Sequence, residues 1–180
     1  MIDLAGFEKT TYYIRQSYWS ETPMVHIAVN LKEKDNFRWK CFNVASHWNF
    51  EKDKVDSVYV YSNCDEVELF LNNKSLGKKK VDKDTYNALY LVKYKEGTLK
   101  AVALIHSKKV AEHILKTADK PNQLALSPEK ETVELSKGEL VYIPIEVTDK
   151  NGVRCPNASN NIRVKGCSVA LATKDCAHFS

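Results

Sequence analysis

An alternation of apolar and polar residues with a period of two runs through most of this chain of 180 residues and limits its fold more than any other feature. The alternation begins at Met24 and is clearest at Val67, Leu69 and Leu71. Because successive side chains of a β-strand point to opposite faces, this pattern is typical of strands with one buried face and one solvated face. The sequence therefore predicts an all-β protein built from antiparallel sheets.

Seven short strands are predicted in the first two thirds of the chain. They cover residues 24–30, 37–42, 55–61, 67–72, 88–94, 98–105 and 109–116. Two tight hairpins are predicted, one over residues 71–77, where Asn72 and Asn73 tolerate left-handed backbone, and one over residues 105–110. Strands of this number and spacing predict an immunoglobulin-like β-sandwich over residues 23–118.

A second β pattern follows a linker predicted over residues 117–122. Its strands are predicted over residues 124–127, 132–135, 141–148 and 162–165, and residues 149–152 form a strong turn signal. About sixty residues remain for this pattern, whereas a complete sandwich takes about 100. We therefore expect residues 119–180 to form a second immunoglobulin-like sandwich in tandem with the first, and to be incomplete.

The first 22 residues differ from the rest, because residues 9–19 predict a helix instead of a strand. Ile14 and Tyr18 stand four residues apart on one helical face, and Pro23 prevents continuation of the helix. One helix followed only by strands indicates the end of another domain. We expect its aromatic side chains to fold back on the sandwich or to become buried in a homo-oligomer.

The distribution of charged and apolar residues argues against two classes of partner. Lys and Arg number 27 against 23 Asp and Glu, and the bases are scattered, so no nucleic-acid surface is expected. No apolar stretch approaches the length of a membrane span, so no membrane insertion is expected. The first residues lack the order of a signal peptide, and a periplasmic or secreted parent protein would carry its export signal upstream.

Sequence signatures of catalysis, of metal binding and of cofactor binding are absent. Glu66 and Glu68 point to the same face of a predicted strand, where solvated carboxylates are the default. The five cysteines form no Cys-x-x-Cys pair and no His pair has ligand spacing, so we expect no metal and no cofactor. Mostly free thiols are expected, although one disulfide among Cys155, Cys167 and Cys176 is compatible with an oxidising compartment.

The run His47, Trp48, Asn49 and Phe50 contains the candidate ligand-binding residues. An indole can cover the apolar face of a sugar while His47 and Asn49 bond its hydroxyls, which makes His47, Trp48 and Asn49 candidates for a carbohydrate contact. The alternative is a Trp buried for packing, with His47 and Asn49 capping a turn. Four tyrosines at alternating positions predict either a sugar platform or cross-strand pairs: Tyr59, Tyr61, Tyr90 and Tyr94.

Several segments in the expected order resemble β-galactosidase-like enzymes of glycoside hydrolase family 2. Those segments are residues 3–9 with Tyr12, Tyr13 and Trp19; residues 24–27; residues 47–50; residues 60–72, which are the most specific; residues 74–77 and 99–103; and residues 140–157. The resemblance implies that residues 1–22 contain the last helix of a (β/α)8 catalytic barrel and that the two sandwiches follow it.

The resemblance further implies a parent enzyme that hydrolyses β-linked sugars with retention and whose two catalytic glutamates lie upstream of this chain. The chain would then be a non-catalytic C-terminal region in carbohydrate metabolism, which braces the missing barrel and places residues 47–49 near the rim of its sugar site. The open alternatives are a stand-alone carbohydrate-binding module that takes an oligosaccharide and an adhesion module that recruits a strand at an exposed edge.

Overall fold

A computed structural model of the chain describes residues 7–31, 44–51, 55–130, 132 and 141–165. The chain divides into two compact units. The larger unit comprises Met1–Lys116 with Val164–Ser180, and the smaller unit comprises Thr117–Arg163. No helix in the described ranges is long and apolar enough to cross a membrane.

The larger unit is a β-sandwich with one helix. Its elements in chain order are α1 (Thr10–Trp19), β1 (Val25–Asn30), β2 (Val44–Ala45), β3 (Val55–Ser62), β4 (Glu66–Leu71), β5 (Lys74–Lys80), β6 (Asn87–Lys93), β7 (Thr98–Ile105) and β8 (Lys108–Lys116). Sheet 1 has the strand order β2–β1–β3–β6, and sheet 2 has the order β5–β4–β7–β8. All strand pairs are antiparallel, and the chain passes between the sheets as in an immunoglobulin-like sandwich. The predicted all-β fold is therefore confirmed.

The predicted period of two places apolar residues on the facing sides of the two sheets. Val58 and Val60 of sheet 1 and Leu69 and Leu99 of sheet 2 are fully buried in one core. Burial of apolar surface is the main favourable term in folding, so this core holds the two sheets together.

Both predicted hairpins are present, and each turns through two residues with left-handed backbone. Asn72 and Asn73 have φ of 50° and 64°, and His106 and Ser107 have φ of 48° and 63°. Positive φ at both central residues matches the right-handed twist of the flanking strands.

Strands β2 and β5 are absent from the sequence prediction. Strand β2 has only two residues, and every residue of the edge strand β5 is exposed, so neither shows a buried alternating face. The predicted strand over residues 37–42 lies outside the described residues.

The smaller unit contains two paired strands, β9 (Gln123–Leu126) and β10 (Ile145–Thr148), which agree with two of its predicted strands. Of the strand predicted over residues 132–135, residues 133–135 lie outside the described ranges. The prediction of a strand over residues 162–165 is wrong, because that segment has no ladder partner within the described part and forms no strand. Ile162 is 41% exposed, and an unpaired strand with an exposed apolar side chain has little to stabilise it.

Candidate functional site

The indole of Trp48 lies inside the core, in the segment that connects β2 to β3. Its exposed fraction is 0%, and its Nε1–H donates a hydrogen bond to the Lys95 carbonyl oxygen at 3.0 Å. The ring centroid lies 5.0 Å from that of Tyr94 and 5.9 Å from that of Phe50. Its apolar surface is buried and its single donor is hydrogen-bonded within the protein. Trp48 therefore presents no face to a sugar in this structure.

His47 and Asn49 flank the buried indole and are half-buried. The backbone N–H of Asn49 donates to His47 Nδ1 at 3.3 Å, and the His47 ring stacks on Phe50 with centroids 4.7 Å apart. These contacts match a turn cap beside a packed Trp. Because a backbone N–H occupies Nδ1, that nitrogen is the unprotonated one. A carbohydrate contact by His47 and Asn49 stays a prediction.

The four tyrosines do not form one platform. Tyr59 and Tyr61 point outward from β3, and their rings lie 6.2 Å apart, whereas Tyr90 and Tyr94 point into the core. The Tyr90 hydroxyl donates to the Val67 carbonyl oxygen at 2.9 Å, and burial raises the pKa of this phenol to about 12. The sequence could not distinguish the two sets, because side-chain direction depends on the register of each strand.

The carboxylates of β4 lie on the outer face of sheet 2, and each has a polar partner. Lys78 Nζ lies 3.8 Å from Glu66 Oε2, and the Ser75 hydroxyl donates to Glu68 Oε1 at 2.6 Å. At one end of this sheet, an open cleft of about 360 Å³ is lined by Asp65, Lys83 and neighbouring residues. Lys83 Nζ lies 4.0 Å from Asp65 Oδ1, so the cleft also contains paired opposite charges.

A second cluster joins helix α1 to the sandwich. The sequence predicts that aromatic side chains of this helix fold back on the sandwich, but it does not predict the His and Ser residues that they meet. The rings of Tyr13 and His26 are stacked with centroids 3.9 Å apart and an interplanar angle of 6°. His26 Nε2 lies 2.7 Å from the Ser46 hydroxyl oxygen, and the His113 ring lies 4.5 Å from that of His26. The Tyr13 hydroxyl donates to the Glu8 carboxylate. The groups come from helix α1 and the residues before it, from β1, from the segment after β2 and from β8. These segments are separated in sequence, so no local pattern indicates the cluster.

Burial controls the protonation of this cluster. Desolvation, and secondarily the neighbouring His113, lowers the pKa of His26 to about 3. Desolvation also lowers the pKa of His113. Burial, together with the hydrogen bond to Glu8, raises the pKa of Tyr13 to about 12. All three rings are therefore neutral near pH 7, as close ring packing in a dry environment requires.

The potential metal-binding side chains and the cysteines were also considered as site residues in the sequence. Within residues 7–31, 44–51, 55–130 and 141–165, no set of three or more His, Cys, Asp or Glu side chains is placed to hold a metal ion. Cys64 and Cys155 are buried free thiols, and the other three cysteines lie outside these ranges. The Cys155 thiol lies 3.5 Å from the Asp119 carbonyl oxygen, and burial raises its pKa.

Comparison with known proteins relates this sandwich to a group of enzymes. A family described as a domain of unknown function (DUF4982) matches residues 53–111. The β-galactosidase of Bacteroides ovatus is 34% identical over 169 residues, which cover 92% of this chain and 18% of that protein. A putative β-glucuronidase of Formosa agariphila is 37% identical over 164 residues, which cover 89% of this chain and 14% of that protein.

A crystal structure shows the same similarity in three dimensions. The glycosyl hydrolase family 2 member from Bacteroides cellulosilyticus superposes with a TM-score of 0.78 at 35% identity. The match covers 85% of this chain and 21% of that structure. The chain therefore matches a partial region of β-galactosidase- and β-glucuronidase-like proteins of glycoside hydrolase family 2.

Proposed function

We propose that this chain is the non-catalytic C-terminal β-sandwich region of a β-galactosidase-like glycoside hydrolase, in which it braces the catalytic barrel. The B. ovatus β-galactosidase and the F. agariphila putative β-glucuronidase support the class of parent enzyme. The chain spans only 14% and 18% of the length of these two relatives, so the catalytic machinery of such a parent would come from elsewhere in the polypeptide.

The observation that carries this proposal is the attachment of helix α1 to the sandwich at both of its ends. At the N-terminal end, Tyr13 stacks on His26, and the Thr10 and Ser46 hydroxyl oxygens lie 3.0 Å apart. At the C-terminal end, the Tyr18 ring lies 4.8 Å from that of Tyr86.

The chain that leaves the helix is also fixed. The Asn63 side-chain amide donates to the carbonyl oxygens of Ser20 and Thr22, both at 2.8 Å. A barrel that ends in this helix would be joined to the sandwich without a flexible linker. Rigid coupling of this kind makes local unfolding of either partner less favourable, and this stabilisation is what we mean by bracing.

His47 and Asn49 take part in this proposal as polar groups at the rim of the parent's sugar site. Both lie beside the buried Trp48, which fixes the backbone that presents them. Side chains held on a rigid scaffold lose little entropy when they bind, so such a segment suits the orientation of a sugar hydroxyl.

The proposal is tested by comparing the chain with the complete polypeptide. We expect no hydrolysis of chromogenic β-galactosides or β-glucuronides by the purified chain, and protein-dependent turnover by it would disprove the proposal. In the complete enzyme, the double change Tyr13→Ala and His26→Ala should lower the Tm of the catalytic barrel. The matched change Tyr142→Ala, at a side chain 66% exposed, should leave that Tm unaltered.

Calorimetry with the isolated chain distinguishes a stand-alone carbohydrate-binding module from the proposed brace. Binding of a simple β-galactoside that is lost in His47→Ala would identify a stand-alone carbohydrate-binding module instead of a brace. Under our proposal, the isolated chain should bind these sugars weakly or not at all, because it would supply only part of the rim.

A further inference from the structure

Helix α1 covers one end of the outer face of sheet 1, where it packs on β1 and β3. His26 and Tyr61 form the ladder row beneath it, and they are only 3% and 2% exposed. The Tyr13 ring of the helix lies parallel to the imidazole of His26, with centroids 3.9 Å apart. Farther along the same face, Leu91 of β6 is 74% exposed. The position of α1 therefore decides which residues of this face are dry.

Helix α1 depends on the sandwich for its own stability. It has ten residues, whereas an isolated helix shorter than about 12 residues is marginal in water. Seven of the ten are β-branched or aromatic, types with low helix propensity. Its N-cap, Lys9, makes no side-chain capping hydrogen bond, and within Thr10–Trp19 no charged residue in the first or last turn complements the helix dipole. A helix with this sequence is therefore folded only while it is docked.

The contacts that hold the first half of α1 on the sandwich centre on His26. Its Nε2 lies 2.7 Å from the Ser46 hydroxyl oxygen, which in turn lies 3.0 Å from the Thr10 hydroxyl oxygen of the helix. His26 therefore meets the helix directly through Tyr13 and indirectly through Ser46. Strand β1 itself is held to β3 by a backbone ladder. Undocking of the helix would therefore bring water to His26 without breaking a strand pair.

The groups that face His26 do not favour a positive charge on its ring. Its titratable neighbours are Tyr13 of α1, Tyr61 of β3 and His113 of β8, and all three are neutral near pH 7. The Glu8 carboxylate accepts a hydrogen bond from the Tyr13 hydroxyl, not from the imidazole. Burial, and secondarily His113, lowers the pKa of His26 from 6.5 to about 3. A proton on this ring is accommodated when the helix has left and water reaches the imidazole.

We propose that protonation of His26 releases helix α1 from the sandwich, so that this contact is an acid-sensitive latch. The inference goes beyond the proposed function, since it concerns a contact within this chain and holds whatever precedes the helix. In the undocked state the solvated imidazole has its ordinary pKa of 6.5, and in the docked state its pKa is about 3. Between pH 7.5 and pH 5, the equilibrium constant for undocking therefore rises about 30-fold. Because undocking also melts the helix, release and unfolding of α1 are one event.

Residue-resolved hydrogen exchange of the chain at pH 7.5 and at pH 5 tests the latch without any substitution. After division by the intrinsic exchange rate at each pH, the amides of Ile14 and Ser17 report the opening constant of α1. We expect this constant to exceed that of Leu69 in the central strand β4 and to rise about 30-fold in acid. Equal opening constants for α1 and β4 would mean that the helix leaves only by global unfolding, and this result would overturn the proposal. A pH-independent opening of α1 would overturn it as well.

Three substitutions assign the effect to one imidazole. His26→Phe keeps an aromatic ring against Tyr13 and removes the titrating group, so the opening constant of α1 should be the same at both pH values. Tyr13→Phe keeps the stack and removes the hydroxyl contact with Glu8, so the rise of about 30-fold should persist. His106→Asn removes an exposed His at a turn and should also leave the rise unaltered. A rise that persists in His26→Phe, or that is lost in either of the other two variants, would place the pH dependence on another group and overturn the latch.

Discussion

The imidazole rings of His26 and His113 lie 4.5 Å apart, where β1 meets β8 across the edge of the sandwich. The backbone N–H of Ile27 donates to His113 Nδ1 at 3.1 Å, so that nitrogen is held without a proton. Protonation of either ring would place a charge in a dry environment. Protonation of His113 at Nδ1 would also leave the fully buried Ile27 N–H without its acceptor.

This pair predicts that the larger unit loses stability in mild acid. The pKa of His26 is about 3 in the folded protein and about 6.5 when unfolded, so the unfolded state binds the proton first. Stability is therefore complete above about pH 6.5 and falls as the pH drops toward 3, by about 2 kcal/mol between pH 7.5 and pH 5 for His26 alone. The depressed pKa of His113 acts in the same direction.

Urea unfolding of the chain at pH 7.5 and at pH 5 measures this dependence. His26→Phe should reduce the difference in unfolding free energy between the two pH values, because it removes the titrating group while keeping a ring against Tyr13. His106→Asn is the control, since it removes an exposed His at a left-handed turn position that Asn tolerates. An unchanged pH dependence in His26→Phe would contradict the prediction.

Truncation of Trp48 should be far more costly than truncation of Trp19. Trp48→Ala removes the largest fully buried side chain among the described residues, together with its hydrogen bond to Lys95, so we expect a loss of about 3–5 kcal/mol in the free energy of unfolding. Trp19→Ala in the isolated chain should change it by less than about 0.5 kcal/mol. Chemical denaturation of both variants checks this contrast, and near-wild-type stability of Trp48→Ala would show that the indole is dispensable to the core.

Gly97 packs against the Asn72 side chain and cannot accept a Cβ. Its φ is 128°, and an added Cβ would lie 1.9 Å from Asn72 Oδ1, which accepts from the Thr98 N–H at 2.8 Å. The Asn72 amide also donates to the Glu96 carbonyl oxygen at 2.8 Å. Gly97→Ala should therefore cost about 3–4 kcal/mol, as backbone strain plus two lost hydrogen bonds.

Gly77→Ala is the matched control for that substitution. Gly77 has a φ of 102° but open space around its missing Cβ, so the change to Ala should cost only about 1–2 kcal/mol of strain. The double variant Asn72→Ala with Gly97→Ala should be less destabilised than the sum of its two single changes, since both remove the same bonds. Additive losses in thermal unfolding would refute the proposed clash.

Asp149 should hold together the turn that follows β10 in the smaller unit. Its Oδ1 accepts from the N–H groups of Asn151 and Val153 at 2.8 and 2.9 Å, and its Oδ2 accepts from that of Asp119 at 3.0 Å. These backbone donors hold the pKa of this carboxyl below its usual value. The stabilisation is therefore present above the ordinary carboxyl pKa and is lost as the pH falls through the depressed one.

Hydrogen exchange of Asp149→Asn tests this assignment. An amide offers one acceptor oxygen, so either the Asp119 N–H or the Asn151 and Val153 pair should lose its acceptor and exchange faster. Glu129→Gln, at an exposed position of the same unit, should leave all three rates unaltered. Unchanged protection in Asp149→Asn would show that these amides do not depend on the carboxylate.

The sequence by itself determined the fold class and most of the strands. Period-two alternation predicts which face of β4 is buried, and the Asn72 and Asn73 pair predicts a tight hairpin, because both signals are local and follow from backbone geometry. The same local rules fail for β5, whose residues are exposed on both faces and show no alternation. The resemblance to family 2 rests on local motifs of the same kind, and the comparisons bear it out.

Only the tertiary structure decided which residues the fold uses internally and which it leaves available. A Trp between two polar residues fits a sugar site and a packed core equally well in sequence, and its position between Tyr94 and Phe50 determines the second role here. The pairing of His26 with His113 and the exposure of Leu91 likewise depend on strand order and on the row that α1 covers. These are long-range relationships, set by sheet register and helix docking, and no periodicity within one segment encodes them.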